Sequence, residues 1–111
     1  MWLDDRRKEM QKGHSIPEKV TFCDFRGAVL DEAKRVINGE RQDQYGNPED
    51  NFRLIAEMWS IYLKRGITPK DVALMMHLLK VARIVSGTDK RDSYIDACGY
   101  LALAADMAEK E

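Results

Sequence analysis

The chain of 111 residues is short of the residues that staple or break a fold: 2 cysteines, 3 prolines and 7 glycines. Cys23 and Cys98 are far apart in sequence and each has apolar neighbours, so they form neither a disulfide framework nor a metal knuckle. They read as reduced core thiols of a cytoplasmic protein. So little proline and glycine excludes collagen-like and linker-rich classes. No apolar run is long enough to cross a bilayer. Asp4, Asp5, Arg6, Arg7, Lys8 and Glu9 interrupt the N-terminal stretch that a signal peptide would need apolar. Neither sign of charge dominates: Lys plus Arg number 18 and Asp plus Glu 19, a net charge of -1. Without a basic excess, sequence-independent binding to duplex nucleic acid is not expected. No glycine-rich phosphate loop, Ser-His-Asp or Cys-His set, or zinc spacing occurs, and His14 and His77 have no local partner. Nucleophilic catalysis is therefore not expected, and His77 reads as an exposed helical residue.

What is present favours one compact domain. Hydrophobic residues make up 44% and charged residues 33%, enough for a core beneath a solvated surface. No strand alternation, internal repeat or low-complexity stretch occurs. Residues 1–20, in which Trp2, Leu3 and Met10 are scattered among charges, read as a peripheral segment that either holds a short helix or packs on a neighbouring subunit. Residues 21–111 read as an all-α, four-helix bundle.

The first helix is predicted from about Phe22 to Asn38. Thr21 and Asp24 match a capping box, Phe22, Phe25, Val29, Ala33 and Val36 form a stripe, and Gly39 stands at its end. The second runs from about Pro48 to Arg65 behind Asn47, with Phe52, Ile55, Trp59, Tyr62 and Leu63 on one face and Gly66 after it. The third runs from about Pro69 to Ser86 behind Thr68, with Val72, Met75, Leu78, Leu79, Ala82 and Val85 expected to face inward. The fourth runs from about Lys90 to Glu109 behind Asp89. The polar connection from Gly39 to Asn47 suits either a surface turn or a ligand loop.

The fourth helix carries the strongest chemical signal. Tyr94, Ile95, Cys98, Leu101, Ala102, Leu103, Ala104, Ala105 and Met107 cover nearly its whole circumference, which predicts burial. Asp92 and Asp96 share one narrow stripe of that helix. A buried carboxylate needs a counter-charge, a proton or a metal, because a bare charge is very costly there. Paired oxygen ligands on one face suit Mg²⁺ completed by phosphates. Asp96 thus reads as a metal ligand or as half of a buried ion pair with an Arg. Asp92 reads as a second ligand or as a partner of Asp89 in a helix cap. Glu32, at the edge of the first stripe, reads as exposed or as a third ligand reaching Asp96 through a metal. Asp71 is explained by a capping box with Thr68.

Lys80 and Arg83 share the face of the third helix opposite its apolar stripe, beside Met76. Spacing alone favours a solvated face, and a phosphate clamp is the functional alternative. Arg91 is a similar candidate. Asn51, inside the apolar arc of the second helix, needs a hydrogen-bond partner, either a ligand or loop backbone. Tyr45, in the polar connection, is the better stacking residue; Trp59 and Tyr62 read as core.

The combination Gly39-Glu40-Arg41, Tyr45-Gly46-Asn47-Pro48, Asn51-Phe52, Trp59, Asp71-Val72-Ala73, Lys80-Val81-Ala82-Arg83, Asp92-Ser93, Asp96 and Gly99-Tyr100 resembles small phage and prophage proteins of unassigned function, over about residues 28–107. More distantly, carboxylates on a central helix of four resemble the MazG-type all-α nucleoside triphosphate pyrophosphatases. That resemblance implies a homo-oligomer with Mg²⁺-dependent hydrolysis of a nucleotide, Asp92, Asp96 and Glu32 as metal ligands, and Lys80, Arg83, Arg41, Tyr45 and Asn51 as substrate contacts. The sequence departs from the MazG pattern, because no pair of carboxylates three apart lies on the third helix and the fourth offers a four-residue step. Two rivals therefore stand beside the hydrolase: a non-catalytic nucleotide or signal-molecule binder, and a helical protein-protein interaction module.

Overall fold

A computed structural model describes residues 22–39, 46–87 and 90–110, with the side chains of residues 22 and 23 left out. The peripheral segment 1–20, Thr21, Arg41, Tyr45 and Asp89 lie outside the described residues. Four helices follow one another: α1 (Phe22–Asn38), α2 (Pro48–Leu63), α3 (Pro69–Val85) and α4 (Arg91–Glu109), with no strand among the described residues.

Local chemistry accounts for where these helices begin. The Asn47 side chain accepts the Glu49 N–H at 2.8 Å, with Pro48 in the first turn where no amide hydrogen is missed. Thr68 and Asp71 form the expected reciprocal cap: Asp71 N–H donates to Thr68 Oγ1 at 3.1 Å, and Thr68 N–H donates to Asp71 Oδ2 at 3.0 Å. α4 differs from expectation. Its cap position is Lys90, whose side chain makes no capping hydrogen bond.

The end of α2 also departs from expectation. The helix stops at Leu63 because Lys64 enters the left-handed region, φ 58°, ahead of Gly66. Ser60 then ties the turn down: its hydroxyl donates to Ala56 O at 2.7 Å and accepts the Ile67 N–H at 2.9 Å. At the end of α3, Gly87 takes φ 85°, a region glycine enters without steric cost.

α4 is central. It packs most extensively on α3 and also against α1, while α2 packs on α3. All four helices supply one core cluster, including Val36, Phe52, Ala56, Val72, Ala73, Met76, Tyr100, Leu103, Ala104 and Met107. Phe52 and Tyr100 stack there with ring centroids 6.3 Å apart. Ile55 and Trp59 pack against this cluster, as a core reading of Trp59 requires. At the far end of α4, Lys110 pairs with Glu49 of α2 at 3.3 Å and with Asp106 at 3.1 Å. The hydrogen bond to Asp106, then that to Glu49, raises the Lys110 pKa above its ordinary value.

Two expectations about the core are corrected. Met75, Leu78, Leu79, Ala82 and Val85 of α3 face outward, and the buried side of α3 is Val72, Ala73, Met76 and Lys80. Tyr62 and Leu63 of α2 are likewise exposed rather than core. The apolar stripe of α3 lost the interior to a face containing a lysine. The lysine is tolerated inside because an acid on α4 meets it.

Candidate functional site

The buried side of α3 meets α4 at an ion pair. Lys80 Nζ lies 3.1 Å from Asp96 Oδ2, and both side chains are almost completely enclosed. α4 is apolar nearly all round, and its small residues Ala97 and Gly99 are buried beside Asp96. Lys80 shares α3's buried side with Met76 and Ala73, and its four-carbon stem carries the ammonium group into the interior. The carboxylate was expected to be buried and is. Its counter-charge is a lysine of the same chain rather than an arginine.

One more hydrogen bond crosses the same helix pair. His77 Nδ1 is 2.7 Å from the Ala97 carbonyl oxygen, which can only accept, so Nδ1 carries the hydrogen. His77 is therefore half-buried and engaged, not the exposed residue its sequence setting suggested.

Glu32 corrects another expectation. It is buried on α1, and its Oε2 takes Arg35 Nη1 at 3.4 Å one turn along the same helix. Phe25 and Val29 flank the same groove as Arg91 and Tyr94, and Val36 joins the cluster that holds Tyr100 and Leu103. α1 and α4 consequently run in the same direction, with Glu32 and Asp96 in the middle stretches of neighbouring helices.

Asp92 is half-buried one turn before Asp96. Arg83 is exposed, so it does not share the enclosed position of Lys80. Asn51 is half-buried on α2, and its backbone N–H donates to Asn47 O at 3.2 Å. Arg41 and Tyr45 lie outside the described residues.

Mg²⁺ is not well matched by this donor set. Asp96 is balanced by Lys80 and Glu32 by Arg35. No group of three or more His, Cys, Asp or Glu able to hold a metal gathers among the described residues.

A second feature lies at the N-terminal ends of α1 and α4. Phe25, Arg26, Val29, Leu30, Arg91 and Tyr94 line an open groove of about 620 Å³, within the range of small-molecule sites. The Arg91 guanidinium sits over the Phe25 ring, 4.8 Å from its centre, a cation–π contact. Apart from Arg91, sequence reasoning missed this groove. The signal was present as an aromatic beside or near an arginine in the first half of two helices, Phe25-Arg26 and Arg91 with Tyr94.

Residues 28–108 match DUF6378, described as a domain of unknown function. The chain belongs to the DUF6378 family. Among curated proteins, this DUF6378 chain is similar to the Gene 55 protein of Mycobacterium phage D29, 45% identical over 73 residues, covering 66% of the chain and 48% of the relative. It is also similar to the Gene 55 protein of Mycobacterium phage L5, 40% identical over 82 residues, covering 72% of the chain and 52% of the relative. The chain thus spans about half the length of the curated relatives it matches. The likeness to phage proteins expected from the motifs is met by these relatives, whereas nothing in them supports the MazG-type resemblance. No solved structure matches the chain. No helix among the described residues is long and apolar enough to cross a membrane.

Proposed function

We propose that this DUF6378 protein is a non-catalytic binder of an aromatic anion of nucleotide type, and that the α1–α4 groove is its pocket. The observation that carries this reading is the groove itself, a largely apolar lining of Phe25, Val29, Leu30 and Tyr94 that also includes Arg26 and Arg91, with the Arg91 guanidinium held over the Phe25 ring. Flat rings stack on Phe25 and Tyr94, and Arg26 and Arg91 supply planar forks that match phosphate oxygens. Arg91 already lies over Phe25, so its guanidinium is oriented before a ligand arrives.

The non-catalytic form is preferred over the hydrolase because the buried carboxylates are balanced by cations of the chain itself. A metal-activated water needs acidic groups to spare. Relative to the contacts expected from sequence, this reading moves the phosphate from Lys80 and Arg83 to Arg26 and Arg91.

The test is calorimetric titration of the purified chain with nucleoside mono-, di- and triphosphates in EDTA, followed by chromatography for products. Expected are binding without turnover and an affinity reduced roughly tenfold or more in Arg91→Ala and Tyr94→Ala, with unchanged helical circular dichroism. No heat with any nucleotide sinks the proposal. Pyrophosphate release that requires Mg²⁺ and disappears in Asp92→Asn would restore the hydrolase.

A further inference from the structure

We infer that the outer face of α3, with the outer face of α2 beside it, is a self-association surface whose occupant is a second copy of this chain. This goes beyond the ligand reading and rests on different residues.

On α3, Met75, Leu78, Ala82 and Val85 are separated by steps of three, four and three residues, with Leu79 alongside. That is the spacing of a seam made to meet another α-helix. All five point away from the core, and the large ones among them are 40 to 80% exposed. The seam carries no charge from Met75 to Val85. Lys80 is turned inward to Asp96, and Arg83 lies at its edge.

α2, which packs on α3, adds Leu54, Met58, Ile61 and Tyr62, 59 to 84% exposed. At these exposures, the eight large side chains of the two helices present roughly 1,000 Å² of surface, against about 800 Å² per partner in a standard interface. Such a face is larger than a monomer ordinarily leaves to water.

The second copy is favoured over other occupants by the chemistry of the seam. Along the α3 part of the face a partner chosen by charge finds nothing to pair with. On α2 the exposed Glu57 and Arg65 stand among Leu54, Met58 and Ile61 as opposite charges that a second copy also carries. A second copy brings an identical uncharged seam with the same three-four spacing. Ala82 near its middle lets two backbones approach closely, so a two-fold axis there satisfies both copies at once.

The experiment is sedimentation equilibrium of the full chain across a range of concentrations, with Leu78→Glu and Ala82→Glu as variants. Both positions point outward, so the variants keep the wild-type circular dichroism, and their unfolding midpoint matches that of the wild type diluted to where it is monomeric. The expected result is a dimer of the wild type and a rise in dissociation constant of roughly 100-fold or more in each variant, because the introduced carboxylate is buried without a partner. A wild-type chain that stays monomeric overturns the inference. A dimer indifferent to both substitutions also overturns it. Nucleotide titration of the monomeric variants reads the groove separately, so the two proposals fail independently.

Discussion

Lys80 and Asp96 hold α3 to α4 through a 3.1 Å ion pair from which water is almost entirely excluded. Each charge is tolerable there only because of the other. Removing one takes from the other buried ion the opposite charge 3.1 Å away, whereas replacing both with apolar groups of similar volume is nearly neutral. Asp96→Asn is therefore expected to destabilise the chain by about 3–5 kcal/mol. The double variant Lys80→Met/Asp96→Leu should recover most of that loss in urea unfolding. A single variant with unchanged stability would show that the pair is not balanced in this way.

His77 contributes on a smaller scale. Its Nδ1–H donates to the Ala97 carbonyl across the same helix pair, in a half-buried setting. His77→Leu should cost about 1 kcal/mol, the usual net worth of such a bond. His77→Asn places an amide donor near the Nδ1 position and should recover part of the loss. Equal destabilisation by the two variants would assign the effect to ring packing rather than to the hydrogen bond.

Lys64 offers a stabilising substitution. A lysine at φ 58° carries a steric penalty from its Cβ that glycine does not. Lys64→Gly at this exposed position should raise stability by roughly 0.5–1 kcal/mol, observed as a higher thermal midpoint. A fall would mean that the lysine makes a contact outweighing its backbone cost.

The cap of α3 provides a calibrated control. Thr68→Ala removes the oxygen that accepts the Asp71 N–H and should cost about 1 kcal/mol. Thr68→Ser keeps that oxygen and should cost much less. Comparable losses in both variants would show that the threonine methyl, not the hydroxyl, matters.

The candidate site was legible in part. The burial of Asp96 agrees with the apolar character of α4, although that helix is enclosed on one side only, with Tyr94, Leu101, Ala102 and Ala105 exposed. Its partner was not legible, because Lys80 stands on the polar-looking side of α3 and nothing local marks that side as internal. Glu32 was misplaced for a related reason. An acid at the margin of a stripe is exposed or enclosed according to how the neighbouring helix crosses it. The α1–α4 groove escaped because its rings and guanidiniums belong to two helices distant in sequence.

By itself the amino-acid sequence determined the four helical segments and two of their starts, Asn47 with Pro48 and Thr68 with Asp71. Those features act between residues at most four apart, through hydrogen bonds and side-chain spacing intrinsic to one helix. Only the tertiary structure decided which side of α3 lies inside. A stripe of Met, Leu and Val was left facing outward while a lysine went in. The energy of burying that lysine depends on an aspartate supplied by a different helix, and no single-helix pattern contains that term.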